Sequence, residues 1–256
     1  MGCKSSKNAD RESKSNKNNI SKLIRKYNID SSAKVNDEYT LVLNMKKNQK
    51  KCQNFLKEME GKNMPNIKKM IIYQIYQLET EAKIDLRKFF ENSSPEIIQA
   101  VYLEAGDFLL DIHSFKNELG TLLKATRRQV FLKSWCFEGS SLETIINCSM
   151  ESEELVLDHC NIGDFFEGFG FITTGTCNLH HISLFGTAAK KEDLRLNEEK
   201  LGIFVKALSL SPVKHTLKTV HVKEIDFSAH DVAKIFDKHG FNLDVMGNDT
   251  EPTMID

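Results

Sequence analysis

The chain has 256 residues, 40% hydrophobic and 28% charged, with a formal net charge of −1, and a chain of that length can bury a substantial core. No stretch approaches the roughly 18 consecutive apolar residues of a transmembrane helix, and the opening residues lack the apolar segment of a secretory signal. The basic residues gather near the start, so the rest is mildly acidic, which argues against nucleic acid as a partner because such binders show a basic face on the folded body.

The first residues read MGCKSSKNAD. Gly2 becomes N-terminal once Met1 is removed, and Ser6 occupies the hydroxyl position of the M-G-x-x-x-[ST] acylation pattern. Cys3 would then lie at a bilayer surface, where S-palmitoylation takes place. A single myristoyl chain binds membrane only marginally, with an association constant of roughly 10⁴ M⁻¹, so a stable anchor needs a second signal. Cys3 and a basic stretch containing Lys4, Lys7, Arg11, Lys14 and Lys17 both offer one. Over about fifteen residues this segment resembles the acylated N-termini of Src-type kinases and G-protein α subunits. The resemblance implies an anionic membrane lipid as partner and a place at the cytoplasmic face of a membrane, expected to be the plasma membrane. Residues 1–30 are expected to be a disordered basic tether.

Residues 31–94 read as helical. Leu41, Met45, Asn48, Cys52, Phe55 and Met59 recur at steps of three and four. Gly61 and Pro65 break the run, and a second stripe follows in Ile67, Ile71, Ile75, Leu78, Ala82, Leu86 and Phe89. Together they predict a helical hairpin that packs within the chain rather than a dimeric coiled coil.

From residue 95 to 249 short β-like segments alternate with helical patterns. Each segment has an apolar pair two residues apart: Val101 and Leu103, Val130 and Leu132, Leu155 and Leu157, Ile182 and Leu184, Val220 and Val222, Leu243 and Val245. The second members are spaced by 29, 25, 27, 38 and 23 residues. Helices are expected over 114–125, 141–148, 197–210 and 229–239, the last stopped by Gly240. Residues 250–256 form a short polar end.

The spacing and the run Leu155-x-Leu157-x-x-Cys160-x-Ile162 resemble the leucine-rich repeat in its ribonuclease-inhibitor-like form, degenerate at most turns. The resemblance implies an α/β solenoid of about six parallel strands with helices on the convex side. A doubly wound α/β enzyme also alternates strands and helices, but neither G-x-G-x-x-G nor G-x-x-x-x-G-K-[ST] occurs. In a solenoid the residues between the inward pairs line the concave face. One such column reads Tyr102, Phe131, Val156, Ser183, His221 and Asp244; the next reads Glu104, Lys133, Asp158, Phe185, Lys223 and Met246. Tyr102, Glu104, Phe131, Lys133, Asp158, Phe185, His221 and Lys223 are therefore the expected contacts to a protein partner, aromatic anchors within a charged rim.

The six cysteines are expected as free thiols in a reducing compartment. Cys177 and His180 have a ligand-like spacing without a matching second half, so no metal or other cofactor is expected. Cys160 is expected to pack in a turn, and Asp107, Asp111 and His113 form the only dense carboxylate–histidine group. The function expected is a lipid-anchored, non-enzymatic interaction module, a scaffold or adaptor. The alternative is a regulator or substrate adaptor of the GTPase-activating or ubiquitin-ligase type.

Overall fold

The computed structural model describes residues 22–33, 39–59, 63–64, 67–75, 94–95, 98–106, 110–111, 116–137, 141–161, 176–186, 196–225 and 227–247. Its frame is a nine-stranded sheet: β1 (Asp30–Ala33), β2 (Tyr39–Asn44), β3 (Ile67–Tyr73), β4 (Ile98–Glu104), β5 (Thr126–Lys133), β6 (Glu154–Asp158), β7 (His181–Phe185), β8 (Thr219–Lys223) and β9 (Asp244–Gly247). The strands lie side by side in chain order, and the sheet does not close. β1 pairs antiparallel with β2; the other eight strands are parallel.

The apolar pairs set the register. Leu41, Met70, Val101, Val130, Leu155, Ile182 and Val220 stand opposite one another in successive strands, as do Leu43, Ile72, Leu103, Leu132, Leu157, Leu184 and Val222. None is more than 2% exposed. A one-residue slip would turn every such pair to the opposite face, so burial holds the alignment.

Helices cover one side. They are α1 (residues 22–27), α2 (Met45–Met59), α3 (Lys116–Lys124), α4 (Ser141–Ser149), α5 (Glu198–Ser209), α6 (Val213–Thr216) and α7 (Ala229–Lys238). Leu23, Phe55, Leu122, Ile145, Phe204 and Phe236 share a single core with the inward strand pairs. Local chemistry sets the helix ends. Asn197 and Ser228 accept the backbone N–H groups of Lys200 and Asp231, satisfying donors that a first turn leaves unpaired. Gly240, at φ +75°, ends α7 in a conformation that glycine adopts without a Cβ penalty.

Four expectations need correction. The disordered tether expected over residues 1–30 does not reach residue 30, because residues 22–27 form α1, Asp30 begins β1, and Leu23, Ile24 and Ile29 are buried. The hairpin expected over 31–94 is half right, because α2 forms but Tyr39–Asn44 and Ile67–Tyr73 are strands. Met70-Ile71-Ile72 is a short apolar run, which periodicity alone does not assign, and pairing with strands on both sides decides it. Leu78, Ala82, Leu86 and Phe89 lie outside the described residues. The parallel array accordingly starts at β2 rather than near residue 95, and it has eight strands instead of about six. At the far end Val245 and Gly247, not Leu243 and Val245, align with Val220 and Val222.

Candidate interaction site on the open sheet face

Residues between the inward pairs point away from the helices. Ile71, Tyr102, Phe131, Val156, Ser183, His221 and Met246 are successive register partners. The next column holds Glu104, Lys133, Asp158, Phe185 and Lys223. All eight residues expected on this face thus stand on it, in the expected order. Met246, half exposed, replaces Asp244 beside His221, as the shifted register of β9 requires.

Phe131, Val156 and Phe185 form a small apolar cluster separate from the main core, with Tyr102 packed against it. Tyr73, Tyr102 and Phe131 step across three strands, with ring centroids 5.3 and 4.8 Å apart. Phe185 meets the His221 ring edge-on at 5.0 Å. Such aromatic contacts contribute about 0.5–1.5 kcal/mol each beyond area burial. Burial, with Glu104 beside it, pushes the Tyr102 hydroxyl well above the ordinary tyrosine range, so Tyr102 stays protonated and donates to Glu104 Oε2 at 3.0 Å. Burial lowers His221, so its ring favours the neutral form.

A polar rim surrounds the cluster. Lys133 Nζ lies 3.0 Å from Asp158 Oδ2, and Asp158 Oδ1 lies 2.5 Å from His159 Nδ1. His159 Nε2 is 4.0 Å from Glu224. Gln129 donates to Glu154 at 2.8 Å, and Gln74 to Glu104 at 2.6 Å. Opposite charges meet across strands at Lys133 and Asp158, while the Glu104 carboxylate is taken by Tyr102 and Gln74. Phe131, Lys133, Asp158, His159, Phe185, Lys223 and Glu224 enclose a cleft of about 200 Å³. Small-molecule pockets usually run from about 300 to 1,000 Å³. The cleft is smaller than that.

His159 and Glu224 were not expected at the site, and their backbone explains why. Gln74, Ser134, His159, Gly186 and Glu224 each follow a strand and adopt φ between +48° and +61°, which turns the chain and brings the side chain over the rim. Non-glycine residues held there cost about 1 kcal/mol or more. The ladder holds them in place, since the N–H groups of Ser134, His159 and Gly186 donate to Asp158, Phe185 and Lys223 carbonyls at 2.8–2.9 Å. Only a recurrent position after each strand could have marked these residues in the sequence, and glycine fills it just once.

At Gly186 an added Cβ would sit 2.8 Å from the His159 ring. Gly186→Ala is expected to lower stability by about 1–3 kcal/mol in urea titrations, through backbone strain and displacement of that ring. Gly202, inside α5 with nothing within 4 Å of such a Cβ, is the control, and Gly202→Ala should stabilise by about 0.5–1 kcal/mol.

Cys160 is buried, its Sγ donates to the Leu132 carbonyl at 3.3 Å, and burial pushes its pKa up to about 12. That environment suits a packed turn and not a nucleophile. Maleimide labelling read by mass spectrometry should leave Cys52 and Cys160 unmodified until the protein unfolds, and modify half-buried Cys136 and Cys177 sooner. Cys177 contacts Thr216 Oγ1 at 3.3 Å, and burial lowers His180. Among the described residues no group of three histidine, cysteine, aspartate or glutamate side chains is placed to hold a metal.

Gly2, Cys3, Lys4, Lys7, Arg11, Lys14 and Lys17, like Asp107 and His113, lie outside the described residues. Among the described residues no helix is long and apolar enough to cross a membrane. Comparisons with protein-family models, curated proteins and solved structures give no match.

Proposed function

We propose that this chain is a membrane-tethered, non-enzymatic interaction module whose open sheet face grips a segment of a protein partner. Acyl chains on Gly2 and Cys3 supply the tether to the cytoplasmic face of a membrane, and the body is a short leucine-rich-repeat-like solenoid. Sequential strand order, described helices that share one core with the inward strand residues, and the left-handed residue recurring after the strands support the solenoid reading. So do two equivalent turn bonds. Trp135 Nε1 donates to the Leu103 carbonyl at 2.8 Å, and Cys160 Sγ to the Leu132 carbonyl one strand later. Each stands three residues after the second inward residue of its strand and ties its turn to the strand before.

The observation that carries the binding role is the cleft itself. A floor containing Phe131 and Phe185 lies inside a rim of Lys133, Asp158, His159, Lys223 and Glu224, the arrangement of a desolvated anchor pocket ringed by groups that fix orientation. A photo-crosslinking residue at position 223 tests it against one at position 234, on the exposed side of α7. The expected result is a discrete adduct from 223 alone, competed by unlabelled native protein and lost in Lys133→Glu. Equal adducts from both positions, or none from 223, would reject the open face as the binding surface.

A further inference from the structure

The first two described helices carry a feature shared with no other helix among the described residues. α2 buries Met45, Cys52, Phe55, Leu56 and Met59 and exposes Lys46, Lys47, Lys50, Lys51 and Lys57. Its only acidic residue, Glu58, is engaged by Lys26 and the Tyr27 hydroxyl of α1. α1 in turn buries Leu23 and Ile24 and exposes Lys22, Arg25 and Lys26. The exposed residues of these two helices are thus a nearly unbroken basic surface. By contrast α5 and α7 alternate signs, with Glu198, Glu199 and Lys206 on one and Asp231, Lys234 and Lys238 on the other.

We propose that the exposed basic surface of α1 and α2 docks on an anionic lipid bilayer. This deepens the membrane-tether reading and rests on it for the identity of the partner. Charge complementarity is one argument, and closeness in the chain is the other, because in the sequence only residues 18–21 separate the lysine-rich stretch 4–17 from α1. A chain anchored through Gly2 would present this end of the sheet to the membrane first. The apolar side of α2 is already committed to the core, so the helix does not insert as amphipathic membrane helices do. Attachment is electrostatic. Each basic residue near an anionic surface contributes up to about fivefold in binding, and salt near 1 M, where the Debye length falls to about 3 Å, removes the effect. Strand order then leads away from the bilayer, leaving the open face accessible along the side of the molecule.

The test uses unacylated full chain, so that it stands apart from lipidation, and sedimentation with vesicles of about three parts phosphatidylserine to seven parts phosphatidylcholine. The native chain should bind these vesicles at low salt, release them at high salt, and ignore pure phosphatidylcholine. The triple variant Lys47→Gln, Lys50→Gln, Lys51→Gln should bind at least about tenfold more weakly with an unchanged urea midpoint. Native-like binding by that variant, or loss of all binding when only Lys4, Lys7, Lys14 and Lys17 become Gln, would overturn the proposal. Preference for a single-stranded RNA over the vesicles would overturn lipid as the partner. If Gly2 takes no myristate while the helix surface still binds vesicles, the tether reading falls and this one stands.

Discussion

Trp135→Ala is expected to lower the unfolding free energy by about 3–5 kcal/mol, and Trp135→Phe by about 1–3 kcal/mol. Trp135 is 1% exposed and the largest fully buried side chain. Its ring fills the turn after β5 while Nε1 satisfies the Leu103 carbonyl. Alanine removes both packing and bond; phenylalanine keeps most of the packing and leaves that carbonyl without its donor. The Phe variant compared with the native chain therefore reports the turn bond, and the difference between the two variants reports the packing. Because Trp135 is the sole tryptophan, urea unfolding should be followed by circular dichroism. A Phe variant as stable as the native chain would show that the bond contributes nothing.

Phe55→Ala is the second large effect, again about 3–5 kcal/mol, with Phe55→Leu below about 1.5 kcal/mol. Phe55 is fully buried beneath α2 in the main core. Without it the first strands lose their helical cover, and opening should begin locally at that end. Limited trypsin digestion should cut Phe55→Ala first near Lys50 and Lys51. The triple glutamine variant of the basic surface has the opposite signature, weaker vesicle binding at unchanged stability, so the two roles of α2 separate into its two sides.

Much of the sheet was legible because its period is strict. Wherever an apolar pair two residues apart is bounded by polar turns, as at Val130 and Leu132 or Leu155 and Leu157, burial of one face dictates a strand and its register. Helices α5 and α7 were legible as helical patterns, with Gly240 marking the end of α7. β3 was not, because Ile67, Ile71 and Ile75 mimic a helical period over too short a run, and only neighbours from distant parts of the chain settle it. β9 slipped by two because Leu243 is as apolar as Val245, while the true partner of Val222 is Gly247, which carries no hydrophobic signal. At the candidate site the columns of alternating residues were readable from the strand pattern. His159 and Glu224 were not, since their place on the rim depends on a left-handed backbone that no residue preference announces. The bond from Trp135 was hidden for a related reason, because an indole there does the work for which the repeat pattern offers asparagine or cysteine.

Metabolic labelling with clickable myristate, combined with membrane fractionation of the native chain and Gly2→Ala, tests the tethered-module account most directly. The account predicts myristate on the native protein, none on Gly2→Ala, and a shift of that variant to the soluble fraction. A native chain that takes no label and stays soluble would contradict the tether and reduce the account to an interaction domain without an anchor.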